Sequence, residues 1–294
     1  MTNKLVYGVS AAVLTPRLAD GSVDAPALRK LLEFLLGKGI SSFALNGATG
    51  EFCITTPAQL RTLLSTAKEV AGDSAKILCG IGAADVAGST LFSRIAQEAG
   101  VEGLLLPMPY FFPYQQDDLE QFSRSVAATV SLPILLYNLP QFTSGLQKGT
   151  VRTLISEVPN IIGIKDSSGS LEILGHLSEQ GVDACRIVGD DSVLSAALHA
   201  EVCDGVVSGV ACVAPELILA VYSEGKRGGP AARALDELVA QLGAFPTPWG
   251  LKWIAQARAI VQATFPLPLS PARAAQGRQL EQWFQSWFSN QGFR

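Results

Sequence analysis

Charge is scarce in this chain. Only 16% of its residues are Asp, Glu, Lys or Arg, the formal net charge is −4, and nowhere do Lys and Arg cluster densely. The basic footprint on which polynucleotide binding depends is therefore missing, Lys226-Arg227 being too short a patch. Histidine is nearly absent: His176 and His199 fall inside helical patterns and form no ligand cluster, which argues against a metal-dependent lyase. Cys53, Cys79, Cys185, Cys203 and Cys212 are odd in number, scattered and without a CxxC pair, so neither a disulfide framework nor a zinc knuckle is expected. They read as reduced, mostly buried thiols. No apolar run qualifies as a membrane span, because the stretch over residues 205–222 is interrupted by Pro215 and Glu216. The apolar residues after Lys4 superficially resemble a short signal peptide, but Gly8, Ser10 and Pro16 favour a first strand. A cytoplasmic protein with neither nucleic acid nor membrane as partner is the expectation.

What the chain does have is apolar material, 48% of its residues, enough for a large core. Short apolar runs alternate with helical patterns. After the first run, Asp24 caps a segment with Leu28, Leu31, Leu32 and Leu35 at helical spacing, closed by Gly37 and Gly39. A strand over residues 42–46 follows, then Thr56-Pro57 opens a helix with Leu60, Leu63, Leu64 and Ala67 on one face. Further strands are expected near Ile77, Leu104, Ile134, Ile162, Ile187 and Val206, making eight in all. Runs that are apolar throughout, each followed by a helix, indicate parallel strands covered by helices, and an eightfold (β/α) TIM barrel accounts for the count. A doubly wound open sheet is the competitor, but its dinucleotide fingerprint fails because Asp85 stands where Gly80-Ile81-Gly82 needs a third glycine. From about residue 225 strands stop, and residues 231–242, 249–264 and 271–288 read as helices. The expected division is a catalytic barrel over 1–224 and a small helical region over 225–294.

In such a barrel the reactive groups sit where strands end. Ile161-Ile162-Gly163-Ile164 runs into Lys165, and desolvation at the end of a buried strand favours the neutral, nucleophilic amine. A lysine whose head reaches solvent or pairs with Asp166 is the plainer alternative. Asn46-Gly47-Ala48-Thr49-Gly50-Glu51 forms a glycine-flanked turn whose amides suit a small anion, although it lacks the Gly-Lys-Ser/Thr of a nucleotide loop. Tyr137-Asn138-Leu139-Pro140 places a phenol before a rigid turn. Lysine, phenol and anion-binding turn on one rim are what amine catalysis on a 2-oxo acid requires.

These motifs, in this order and spacing, resemble the dihydrodipicolinate synthase / N-acetylneuraminate lyase family over essentially the whole chain. The resemblance begins at Ala12-Val13-Leu14-Thr15-Pro16 and continues through Val188-Gly189-Asp190-Asp191 and Gly205-Val206-Val207-Ser208 to Pro246-Thr247-Pro248. It implies a TIM barrel with a helical tail, a homotetramer built as a dimer of dimers, a small 2-oxo acid as substrate, and no metal or other cofactor. It also implies roles: Lys165 as the Schiff-base lysine, Tyr137 as the general acid/base, Ala48 and Thr49 as the carboxylate cradle, and Gly189 and Val207 as pocket lining.

Departures from the family pattern bear on substrate. Ala48 stands where the family usually has Thr or Ser, and Phe111 where the synthases have a tyrosine that completes a proton relay across a subunit interface. Phe142 aligns with the arginine that holds the synthases' second carboxylate. The changes point to a lyase, aldolase or dehydratase acting on pyruvate or a 2-oxo acid such as a 2-keto-3-deoxy sugar acid. The alternatives are a 4-hydroxy-tetrahydrodipicolinate synthase condensing pyruvate with aspartate semialdehyde, and a non-catalytic relative that only binds a 2-oxo acid. A pyridoxal-phosphate enzyme would also use a rim lysine, but no separate phosphate cradle stands out near Gly189 or Gly209.

Overall fold

The computed structural model describes residues 5–292, and in them eight parallel strands close into a barrel in sequence order. Chain order runs β1 (Gly8–Ala12), α1 (Ala25–Gly37), β2 (Ser42–Leu45), α2 (Pro57–Ala71), β3 (Lys76–Gly80), α3 (Val86–Glu98), β4 (Gly103–Pro107) and α4 (Gln116–Ala127). It continues with β5 (Ile134–Asn138), α5 (Lys148–Glu157), β6 (Ile161–Asp166), α6 (Glu172–Glu179), β7 (Cys185–Val188), α7 (Leu194–His199), β8 (Gly205–Ser208) and α8 (Pro215–Glu224). Pairing of β1 with both β2 and β8 closes the ring. The TIM barrel expected from the strand count is therefore the fold. Three helices follow: α9 (Pro230–Leu242), α10 (Trp249–Ala257) and α11 (Pro271–Gln291).

Strand side chains alternate between two faces, and the barrel divides them into two cores. Ala12, Ala44, Leu78, Leu105, Leu135 and Ile187 fill the interior. Phe43, Ile77, Leu104, Ile134 and Ile164 face outward, under the leucine stripes of the surrounding helices. The helix starts are set by local chemistry. Asp24 accepts from the Ala27 amide at 3.0 Å to open α1, and Thr56 and Gln59 form a reciprocal capping box at α2. The apolar run at 205–222 resolves into β8, a short turn and α8, and no helix among the described residues is long and apolar enough to cross a membrane. Lys4, the charge that precedes the first apolar run, lies outside the described residues.

One expected helix is shorter than its pattern. The apolar periodicity over 249–264 predicts a single element, yet α10 stops at Ala257. Ala259 takes a left-handed φ of 53°, and the Ile260 amide reaches back to the Ala255 carbonyl at 2.9 Å. That closure turns Ile260 and Val261 into the core, so burial of two large side chains outweighs continuing the helix. The tail is fastened to the barrel by charge as well. Arg258 grips Glu216 of α8 with two hydrogen bonds of 3.0 and 2.9 Å, and Lys38 Nζ, just past α1, reaches the same carboxylate at 2.8 Å. Cys79, Cys185 and Cys212 are buried, Cys203 is half-buried, and Cys53 is exposed.

Candidate active site

Lys165 and Tyr137 are partners in register across β6 and β5, so both side chains point into the barrel. Both are buried, and the lysine Nζ stands 3.8 Å from the centroid of the tyrosine ring. The next residue on each strand faces outward. There Asn138 Nδ2 donates to Asp166 Oδ1 at 2.9 Å, and the same oxygen accepts from the Ser168 amide at 3.0 Å. Asp166 therefore clips β5 to β6 and forms no ion pair with its neighbour Lys165. Burial pushes its carboxyl up, while hydrogen bonds from Ser168 and Asn138 hold it back.

Room for the lysine side chain comes from Gly189, which follows β7. A Cβ there would overlap Ser167 Oγ and stand 2.7 Å from Lys165 Cε. The turn after β2 supplies the opposite wall. Asn46 and Glu51, at left-handed φ of 53° and 58°, bracket it. The Glu51 amide donates to Ala48 O at 3.0 Å and the Phe52 amide to Gly47 O at 3.2 Å. The amides of Ala48 and Thr49 donate to no protein acceptor among the described residues, which leaves them available to an anion. Thr15 Oγ1 donates to Gly50 O at 2.9 Å and ties the turn to the residues after β1.

All seven residues singled out from the sequence, Lys165, Tyr137, Ala48, Thr49, Phe142, Gly189 and Val207, line one cavity of about 200 Å³ at the C-terminal mouth of the barrel. Its size lies below the roughly 300–1,000 Å³ usual for drug-sized ligands and suits a small acid. Phe142 sits at the mouth, 53% exposed, rather than in the barrel wall. Arg17 and Lys148 are engaged elsewhere: Lys148 pairs with Glu172 at 3.0 Å, and Arg17 bonds Gly21 O and Thr55 Oγ1. Among the described residues Lys165 is the single cation lining the cavity. Tyr110 packs edge-on against Phe52, with ring centroids 5.8 Å apart, and does not line the cavity.

Several lining groups were not singled out from the sequence: Gln141, Ser167, Asp190 and Asp191 at strand ends, and Val239, Leu242, Phe245 and Leu251 from the helical tail. Asp191 is the most unusual. Its Oδ2 accepts from the Val210 amide at 3.0 Å, but its Oδ1 is buried without a partner. Burial pushes the carboxyl up to about 6 and Asp190 adds to this, against hydrogen bonds from Ser208 and Val210 and the charge of Lys165. Ser167 Oγ is likewise buried without a partner. An acidic pair directly after the Val188-Gly189 strand end was the signal for Asp191. No signal marked the tail residues, whose approach depends on the fold. No group of three or more His, Cys, Asp or Glu comes together among the described residues.

A parallel barrel with a buried lysine against a phenol ring, facing a turn with two unengaged amides, fits a class: (β/α)8 lyases that work through an amine. The family model for the Dihydrodipicolinate synthetase family matches residues 5–286, and the chain belongs to that family. It is similar to the 4-hydroxy-tetrahydrodipicolinate synthase of Azoarcus sp., 31% identical over 91% of this chain and 93% of that protein. It is also similar to 4-hydroxy-tetrahydrodipicolinate synthase 1 of Streptomyces coelicolor, 32% identical over 90% of this chain and 86% of that one. Among solved structures, the chloride-inhibited dihydrodipicolinate synthase from Acinetobacter baumannii, complexed with pyruvate, superposes with a TM-score of 0.88 at 26% identity, covering 98% of this chain and 100% of that one.

Proposed function

We propose that the protein is a Schiff-base lyase that cleaves or dehydrates a hydroxylated 2-oxo acid, such as a 2-keto-3-deoxy sugar acid. The observation that carries this reading is the pairing of Lys165 Nζ with the Tyr137 ring in a cavity that also holds free amides and two unpartnered polar atoms, Ser167 Oγ and Asp191 Oδ1. The substrate carboxylate lies on the amides of Ala48 and Thr49 and the Thr49 hydroxyl. The Lys165 amine attacks the C2 carbonyl, and loss of water gives the imine. As the C3–C4 bond breaks, its electron pair flows into the protonated imine to form an enamine. The C4 hydroxyl gives up its proton and an aldehyde departs. Tyr137, buried beside Lys165 in the same cavity, accepts and returns protons. Protonation at C3 and hydrolysis release pyruvate and restore the lysine. Hydroxyls along the sugar chain would satisfy Ser167 and Asp191, which otherwise stay desolvated at a cost.

A second reading is 4-hydroxy-tetrahydrodipicolinate synthase, favoured by the names of the relatives at about 30% identity. Against it stands the lack of a second cation in the cavity among the described residues. Borohydride reduction in the presence of pyruvate, followed by peptide mapping, tests the amine chemistry common to both. An adduct on Lys165 is expected, and an adduct on any other lysine overturns the assignment. Assembly as a homotetramer belongs to the same proposal. Phe111, 86% exposed and held at a left-handed φ of 87°, and Phe112, 60% exposed, support a subunit contact there. Sedimentation velocity reads it, and a monomer at working concentration overturns it. A cytoplasmic location also belongs here, with five scattered cysteines that show no CxxC pair in support.

A further inference from the structure

Beneath the anion-binding turn lies a cluster of three buried charges that no step above uses. Glu51 closes the turn, and its Oε2 accepts from Lys252 Nζ of α10 at 2.7 Å. Arg17 Nε lies 4.0 Å from the same oxygen. All three side chains are nearly inaccessible, at 7% exposed for Arg17, 6% for Glu51 and 5% for Lys252. Other donors of the cluster are committed to backbone and hydroxyl oxygens. Lys252 Nζ also donates to Thr264 O at 2.7 Å, Arg17 to Gly21 O and Thr55 Oγ1 at 3.0 Å each, while Arg17 Nε is buried without a hydrogen-bond partner.

Two cations and one carboxylate leave the cluster one positive charge in excess. No neighbouring group cancels it. Asp20 is exposed and turned to Ser22, and the Cys53 thiol, pushed up by desolvation, adds no anion. Desolvation lowers both Arg17 and Lys252, and Glu51 opposes it. Burying an uncompensated charge is costly unless an anion nearby offsets it. Glu51 is two residues beyond Thr49, and its own amide holds the turn shut against Ala48 O.

We propose that Arg17, Glu51 and Lys252 are positioning residues whose net positive charge, fixed under the turn, selects a substrate carrying a carboxylate beside its ketone. This rests on the reading of Lys165 as the imine-forming amine and of Ala48 and Thr49 as the carboxylate cradle. The cluster holds the turn in its strained conformation through Glu51. It also biases the site toward an anion through its unbalanced charge, and it links both functions to the helical tail through Lys252.

The test compares pyruvate with methyl pyruvate, which keeps the ketone and loses the charge, in borohydride trapping on the full-length protein. Wild type is expected to trap pyruvate at much lower concentration than the ester. Arg17→Met, which neutralises the cluster, is expected to raise the half-saturating pyruvate concentration about tenfold while leaving the ester unchanged. Glu51→Gln moves the charge the other way and is expected not to reduce the preference for pyruvate over the ester. Should Arg17→Met fail to fold, Lys252→Gln is read in the same way, with Lys252→Arg expected to restore the preference. Equal losses for acid and ester in the neutralised variants leave the cluster a merely structural support and overturn the inference alone. Failure of wild type to trap pyruvate at all overturns the amine reading, and this inference with it.

Discussion

Lys165 Nζ and the Tyr137 ring centroid are 3.8 Å apart because the two residues are Cα partners on adjacent strands. Neither long side chain has to search for the other. On the proposed mechanism a protonated imine at Lys165 would keep its charge over the electron-rich face of the same ring, a contact worth about 0.5–2 kcal/mol. The same proposal has the phenol that holds the nitrogen by its face use its hydroxyl for proton transfer at the neighbouring carbon.

That geometry separates two contributions. Tyr137→Phe keeps the ring and removes the hydroxyl, so it should still form the pyruvate adduct while turnover falls by about 10²–10⁴-fold. Lys165→Arg should form no adduct, since a guanidinium keeps its charge and makes no imine. Single-turnover trapping against steady-state assay distinguishes the cases. Near-normal turnover in Tyr137→Phe would remove the phenol from proton transfer.

Gly189 tests how tightly the lysine is held. Gly189→Ala drives a methyl into Ser167 Oγ and to 2.7 Å from Lys165 Cε, so the lysine must leave its place over Tyr137. Overpacking of this kind costs about 1–3 kcal/mol of stability, and adduct formation should slow in parallel. Urea unfolding and trapping on one preparation read both effects; a variant that traps pyruvate at the wild-type rate contradicts the tight fit.

Asp191 gives a pH signature. Its ordinary value of 3.8 is pushed up to about 6 by burial, so the folded state favours the protonated carboxyl. The corresponding stability is fully present below pH 4 and is lost as pH rises through 6, a change on the order of 2–3 kcal/mol. Asp191→Asn should therefore be more stable than wild type at neutral pH, with the difference shrinking as pH falls from 6 to 4. On the proposed mechanism the Asp191 carboxylate present above pH 6, already influenced by the charge of Lys165, would favour an iminium there, so adduct formation should drop on the acid side with an inflection near 6. The variant should lose that inflection. A wild-type profile flat through this range would contradict the assignment.

The barrel was legible because each of its units is local: a short apolar run, a capping residue such as Asp24 or Thr56, and a leucine stripe. The rim residues were legible for a similar reason, since an apolar run that ends in a lysine or tyrosine marks the strand end, and alternation along the strand then turns Lys165 and Tyr137 inward and their neighbours Asp166 and Asn138 outward. Contacts between distant segments were not. Glu51 and Lys252 meet across 201 positions, and nothing in either neighbourhood names the other. Phe245 and Leu251 reach the cavity only because the tail folds back over it. The early end of α10 depended on Ile260 and Val261 finding the core, a tertiary preference that overrode a helical pattern.

Phe142 stands at the cavity mouth, and among the described residues no cation besides Lys165 lines that cavity, which is what the proposed choice of substrate rests on. A second substrate carboxylate needs a donor there, because charge-assisted hydrogen bonds contribute about 1.5–3 kcal/mol each and a phenyl ring contributes none. Arg17 is buried against Glu51, and Lys148 is paired with Glu172, so neither stands in. Wild type should therefore condense pyruvate with aspartate semialdehyde slowly, and slower by about a hundredfold or more than a site with an arginine fork. Phe142→Arg should raise that condensation, since the half-exposed position leaves the guanidinium room to face the cavity. It should lower cleavage of a neutral-tailed sugar acid at the same time. A coupled assay with pyruvate and aspartate semialdehyde reads both enzymes. Efficient synthesis by wild type, with Phe142 in place, would overturn the substrate choice and leave the chemistry of Lys165 untouched.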